Sequence, residues 1–233
     1  MKGTLFVIAT PIGNLDDITF RAVEILKSVD IVLAEDTRHS KKLFLHLDIS
    51  KPMRAFHEHN EREKTQASID DLHSGKSIAL ISDAGTPLIS DPGYLLVAQA
   101  KKEGLRVIPI PGASALITAL SVSGLASDSF TFLGFLPSKQ AARIKLLKTL
   151  LNETVTSIFY ESPKRILATL VDMHAIFGSS REVCLAKELT KVFETIQTDS
   201  IPNLIKFLTA DENNQKGEFV ILISANDKID IAE

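Results

Sequence analysis

The sequence predicts an α/β protein built as two α/β domains. Short apolar runs alternate along it with amphipathic stretches of helical period. That alternation breaks off at Pro111-Gly112 and restarts after the stretch 124–128. The chain also has 233 residues, long for one small domain and comfortable for two.

The elements follow in order. Leu5-Phe6-Val7-Ile8-Ala9 reads as a buried strand. Asp17 is placed to cap the next helix, whose Ile18, Ala22, Ile25, Leu26 and Val29 fall on one face. Residues 31–34 are a second strand and 77–81 a third, which opens into a loop over 82–93. A helix over 94–103 is closed by Gly104, and 106–110 is another strand. Strands and helices alternating at this spacing predict a largely parallel sheet. Ser114 is placed to cap a short helix that reaches residue 123, and 124–128 reads as a linker. The boundary therefore falls within 113–128, giving domains 1–115 and 116–233. In the second half, 130–135 is a strand, 141–151 a helix and 155–160 a strand. Ser162-Pro163 is a good helix start, and that helix ends near Gly178. Residues 182–189 and 218–224 are strands, with a helix near 202–208 between them. The tail past Asn226 is expected to fray.

Composition narrows the function classes. Hydrophobic residues make up 45% and charged residues 24%, ordinary globular values that argue against disorder. The single cysteine, Cys184, excludes an intrachain disulfide and a cysteine-rich zinc site, and its apolar neighbours mark it as a core residue. The first apolar run is too short for a signal peptide, and no run approaches a membrane span, so a cytoplasmic protein without membrane contact is expected. A net charge of −3 does not announce a nucleic-acid binder, although a local basic face is sufficient for one.

Three loops follow strands of the first half, where ligands of open α/β sheets bind. The first, Thr10-Pro11-Ile12-Gly13-Asn14, is neither a dinucleotide fingerprint nor a P-loop, and a tight turn explains it equally well. The second runs from Ser82-Asp83-Ala84-Gly85-Thr86-Pro87 to Asp91-Pro92-Gly93. Gly85 permits close backbone approach, and the prolines stiffen the loop. Asp83 can hold a ribose hydroxyl, an amine or a backbone donor; alternatively Asp83 and Asp91 cap their own turns. The third, Pro111-Gly112-Ala113-Ser114-Ala115, offers free N–H groups at a helix start. Lining one crevice, the three suit a small ligand with an amino-acid end and a nucleoside end.

Taken together with Ala34-Glu35-Asp36-Thr37-Arg38, Gly134-Phe135-Leu136-Pro137, Phe159-Tyr160-Glu161-Ser162-Pro163-Lys164-Arg165, Lys187-Glu188-Leu189-Thr190-Lys191 and Lys216-Gly217-Glu218-Phe219, these loops carry a resemblance. The chain resembles the tetrapyrrole-methylase superfamily over nearly its whole length. More narrowly it is similar to the branch that 2'-O-methylates a cytidine in 16S ribosomal RNA of the small subunit. The first loop lacks the Gly-Pro-Gly pattern of the small-molecule branches, which favours the RNA branch. The resemblance implies a homodimer of two-domain subunits with S-adenosylmethionine in the cleft between the domains. It implies that Pro11, Ile12, Asp83, Ala84, Gly85, Thr86, Ser114, Ala115 and Tyr160 surround that cofactor.

Methyl transfer from a sulfonium is an in-line displacement, so the protein mainly positions and desolvates. A ribose hydroxyl is a poor nucleophile near neutral pH, so a positioned base is worth seeking. Glu161, at a strand end, is the first candidate. Lys187 and Glu188 end another strand and complete the catalytic set, with Lys187 also able to neutralise a phosphate. Glu35 and Asp36 are further candidates, and capping or surface pairing is the plain alternative for each. His57-Glu58-His59 would put both rings on one strand face, but a third ligand is missing and no metal is expected. For RNA, Pro137-Ser138-Lys139-Gln140 runs into Arg143, Lys145 and Lys148, and Arg38, Lys41, Lys42, Lys164, Arg165, Lys187 and Lys191 can extend a basic surface. With no Trp and two Tyr, phosphate and shape contacts outweigh base stacking. The competing readings are a methylase of a tetrapyrrole or other small molecule, which needs a deep apolar pocket, and a non-catalytic binding module.

Overall fold

The computed structural model describes residues 2–226, and the tail expected to fray lies outside them. The chain divides between Ser114 and Ala115 into two compact units.

The first unit runs β1 (Thr4–Ile8), α1 (Phe20–Ser28), β2 (Ile31–Ala34), α2 (Thr37–His46), β3 (Met53–Ala55), α3 (Glu61–His73), β4 (Ile78–Ile81), α4 (Tyr94–Lys102) and β5 (Arg106–Ile110). Its strands pair in the order β3-β2-β4-β1-β5, all parallel. Both faces are buried. Ile8, Val32, Ala79 and Ile110 belong to one core, and Leu5, Leu33, Ile78 and Leu80 to the other. Two-sided burial is why these strands read as continuous apolar runs.

Four features differ from the expectation, one being helix α2, for which the sequence predicts no element. Helix α1 is capped by the Thr19 hydroxyl, which accepts from Ala22 N; Asp17 instead ends a 3₁₀ turn, Leu15–Asp17, that Asn14 caps. Strand β3 was not foreseen, because Arg54 and Ala55 are exposed and leave no apolar run. Helix α3 was hidden because Glu61, Thr65 and Ser68 take part of its buried face.

The second unit runs α5 (Ala115–Val122), β6 (Phe130–Phe135), α6 (Gln140–Thr149), β7 (Thr156–Glu161), α7 (Ile166–Phe177), β8 (Glu182–Lys187), β9 (Thr195–Ser200), α8 (Ile201–Ala210) and β10 (Phe219–Ile223). The strand order is β6-β7-β10-β8-β9. Only β6 and β7 pair in parallel; the other three pairings are antiparallel. The expectation of a largely parallel sheet therefore holds for the first unit and fails for the second. The cause is the β8–β9 hairpin, whose second strand, Thr-Ile-Gln-Thr-Asp-Ser, is too polar to announce itself. The stretch 124–128 lies inside this unit. Helix α7 starts at Ile166 and not at Pro163, because residues 162–165 form a turn in which the Ser162 carbonyl accepts from Arg165 N and Ile166 N.

One face of this sheet presents Phe159, Leu185, Phe219 and Ile221 to a core that includes Leu147 of α6, Leu170 of α7 and Leu204 of α8. Cys184 projects to the opposite face and is buried, and burial pushes its thiol up. No helix among the described residues is long and apolar enough to cross a membrane.

Candidate functional site

In the first unit the three loops are tied to one another. Thr10 N donates to Gly85 O and Gly85 N to Thr10 O, both at 2.9 Å, forming a short antiparallel bridge between the first and second loops. The Thr10 hydroxyl reaches Ser82 O at 3.2 Å. The Thr86 hydroxyl donates to Ala113 O at 3.1 Å and binds the third loop. A fourth segment joins them, since Asp36 N donates to Asp83 Oδ1 at 3.0 Å. Of the open roles for Asp83, holding a backbone donor is the one seen here, and that donor belongs to a different loop.

A left-handed backbone explains one glycine and close approach another. Gly85 has φ +81°, and a Cβ there would lie 3.5 Å from Ile12 Cγ2. A Cβ on Gly112 would stand 3.0 Å from that of Ala9, at the base of the third loop. The second loop also holds Leu88 and Ser90 at φ 73° and 69°. Left-handed non-glycine residues persist only where their surroundings over-determine them. Part of that determination comes from α3. Glu61 Oε1 accepts from Gly93 N at 3.1 Å and Leu95 N at 2.8 Å, so a buried carboxylate from one helix caps the start of α4.

Pro11, Ile12 and Gly85 are buried, Asp83, Thr86, Ser114 and Ala115 half-buried, and Ala84 exposed. The fragment thus offers backbone, one wall of Ile12 and a set of carboxylates. Burial, followed by the charge of Glu35, pushes the Asp91 carboxyl up to about 6. Burial and Asp83 also raise Glu35. Mutual repulsion of this kind favours a bound cation. S-adenosylmethionine, carrying a sulfonium and an ammonium against one carboxylate, has the matching charge.

In the second unit Glu161 and Lys187 both pair with Phe219, so they share one row at the end of the sheet and one face. Glu161 has no exposed side-chain surface. Its oxygens accept from Ser162 N at 2.6 Å, Arg165 Nε at 2.8 Å and the Thr169 hydroxyl at 2.8 Å. Lys187 is buried, and its Nζ donates to Asn213 O at 2.6 Å. Glu188 begins the β8–β9 loop at φ 51° and accepts from Lys191 Nζ at 3.0 Å and Glu218 N at 2.9 Å. These partners hold its carboxyl below the usual range against burial, the largest opposing influence. Tyr160 does not join this group. It projects to the other face, edge-on to Phe132 and Phe135 at 4.9 and 5.5 Å.

Several expectations need correction. Arg143 is no free cation for RNA, because it is 4% exposed and bound to Asp172 at 2.6 Å, with Gln140 completing the pair. Lys145 and Lys148 remain exposed. His57 and His59 lie on a turn and not on a strand, with rings 6.0 Å apart. No group of residues able to hold a metal occurs among the described residues. The grip of Glu161 on Arg165 and Thr169 was not foreseen, although the spacing of four residues between each was visible.

The description Tetrapyrrole (Corrin/Porphyrin) Methylases matches residues 4–205. The chain is 53% identical over 230 residues to a Haemophilus influenzae protein named ribosomal RNA small subunit methyltransferase I, covering 99% of this chain and 81% of that one. A Vibrio cholerae protein of the same name is 55% identical over 219 residues, covering 94% and 76%. Among solved structures, a cobalt precorrin-4 methyltransferase of cobalamin biosynthesis matches with a TM-score of 0.67 at 17% identity, over 95% of this chain and 94% of that one. The methyltransferase CobJ matches with a TM-score of 0.69 at 15% identity, over 96% and 94%. Those two likenesses speak for the fold alone. The chain belongs to the tetrapyrrole (corrin/porphyrin) methylases and is, as they are, a methyltransferase that depends on S-adenosylmethionine.

Proposed function

We propose that the chain transfers a methyl group from S-adenosylmethionine to the 2'-oxygen of a cytidine ribose in 16S RNA of the small ribosomal subunit. The carrying observation is the 53% identity, over 99% of this chain, to a relative named for small-subunit ribosomal RNA methylation. The resemblance of the motif set to the ribose-methylating branch supports the cytidine 2'-oxygen as acceptor.

The tied loops of the first unit are the proposed cofactor site, with Pro11, Ile12, Asp83, Ala84, Gly85, Thr86 and Ser114; the further proposed contacts, Ala115 and Tyr160, belong to the second unit. Bound there, the cofactor supplies an activated methyl group and its own leaving group. The chain's residues then bind and orient. Asp83 and its neighbours attract the cationic cofactor, and the Thr10–Gly85 bridge fixes the backbone it lies against. In the second unit Glu161, Lys187 and Glu188 are proposed to shape the catalytic end of the sheet. With every oxygen of Glu161 engaged, its geometry suits holding Arg165 more than accepting a proton. The protein is proposed to act in the cytoplasm as a homodimer. Exposed apolar side chains such as Phe135, Ile117 and Phe193 fit a covered surface.

The test is label transfer. Purified protein is incubated with methyl-labelled S-adenosylmethionine and small subunits from cells lacking the modification. Label in the RNA is the expected result. Cofactor binding with no label on subunits or naked RNA sinks the reading and returns attention to small-molecule acceptors.

A further inference from the structure

Helix α2 carries a feature that neither the cofactor loops nor its own stability explains. Its sequence, Thr-Arg-His-Ser-Lys-Lys-Leu-Phe-Leu-His, contains three cations and no carboxylate, in a chain of net charge −3. Arg38, Lys41, Lys42 and Leu45 stand at i, i+3, i+4 and i+7, one face of the helix. Arg38, Lys41 and Lys42 are exposed and Leu45 is 84% exposed, while Ser40, Leu43 and Phe44 on the other side are buried.

This arrangement works against the helix. Like charges three and four residues apart repel. Arg38 lies in the first turn, where the helix dipole disfavours a cation, and Lys41 and Lys42 lie short of the last turn, where it would favour one. Helix α4 shows the ordinary placement, with Lys101 and Lys102 in its last turn. Asp36 takes up part of the charge by bonding Arg38 Nε at 3.1 Å and Nη2 at 2.7 Å, which also fixes the guanidinium. The exposed lysines form no ion pair with a carboxylate among the described residues.

The position of the stripe is equally specific. Its first residue, Arg38, stands two positions after Asp36 and bonds its carboxylate, and the backbone N–H of Asp36 is held by Asp83 of the proposed cofactor loop at 3.0 Å. The stripe is therefore linked to that loop through Asp36, within the same compact unit. We infer that the Arg38–Lys41–Lys42 face of α2 docks the phosphate backbone of the RNA substrate and fixes its register against the cofactor loops. The inference rests on the proposed function. Phosphates relieve the repulsion along the stripe, and contacts of this kind set position without reading sequence.

The test compares K41A/K42A with K101A/K102A, an equal charge change on a helix end that the inference leaves out. Wild type and both variants are measured for melting temperature, S-adenosylmethionine affinity, and binding and methylation of unmodified small subunits across a salt series. K41A/K42A should melt no lower than wild type and bind the cofactor unchanged. It should lose about tenfold or more in subunit affinity and flatten the salt slope by between about one and two, since each lost phosphate contact removes about 0.7–0.9. K101A/K102A should match wild type. Wild-type affinity and slope in K41A/K42A, or equal losses in both variants, overturn the docking face. Wild-type protein that methylates no subunit overturns the function beneath it, a result separable from the first two.

Discussion

Two carboxylates show how environment sets a residue's role. Asp91 sits among Glu35 and Asp83, and burial with like charge holds its carboxyl up at about 6, above the ordinary 3.8. Between those values the folded chain keeps a proton that the unfolded chain has released, so stability falls as pH rises through that window. Urea unfolding of wild type and D91N from pH 3.5 to 7.5 should show the variant gaining on wild type as pH rises, with the difference closing near pH 4. A constant difference would mean that Asp91 titrates normally. Asp83 has another task, since it ties the 35–38 segment to the second loop, the proposed cofactor site. D83A should weaken S-adenosylmethionine binding at least tenfold by calorimetry while the far-ultraviolet circular dichroism stays native. Undiminished affinity would move the cofactor away from this loop.

At the scale of elements, legibility followed burial. Strands β1, β2 and β4 were readable because apolar residues on both faces make an unbroken run, and the edge strand β5 because Val107, Ile108 and Ile110 still stand out between Arg106 and Pro109. Strands β3 and β9 were not, because edge strands such as Met53–Ala55 and Thr195–Ser200 carry polar residues. Helices α2 and α3 were missed, α3 because its buried face includes Glu61, Thr65 and Ser68. The three loops of the first unit were legible as loops from Gly, Pro and Asp in a short span. Their cross-links were not, because Thr10–Gly85 and Asp36–Asp83 join residues far apart in sequence. The same holds for the turn after β7. Glu161 stood out as a carboxylate at a strand end, but its engagement by Ser162, Arg165 and Thr169 needs the folded geometry. Its substitution by Gln should lower unfolding free energy by about 1–3 kcal/mol, the cost of weakening a buried charged hydrogen-bond set. The pH profile of kcat should be unchanged. A lost acid limb with stability intact would make Glu161 the proton acceptor.

For the whole molecule, two units of different sheet chemistry share one chain. The first is all parallel and buried on both faces, so its strand ends converge on loops that can hold a ligand. The second is mixed and ends in a row of buried charged residues, Glu161 and Lys187, flanking Phe219. Net charge argues weakly against RNA, yet charge is distributed locally. Carboxylates gather at the proposed cofactor loops, and cations line α2 beside them. The first set suits a cationic cofactor and the second an anionic polymer.

Ribose methylation is decided by the identity of the modified nucleoside. Unmodified small subunits are treated with the protein and methyl-labelled S-adenosylmethionine, the RNA is digested, and the nucleosides are resolved by mass spectrometry. Label in 2'-O-methylcytidine is the expected result. Label on a base, or no label in RNA from a protein that binds the cofactor, would contradict it.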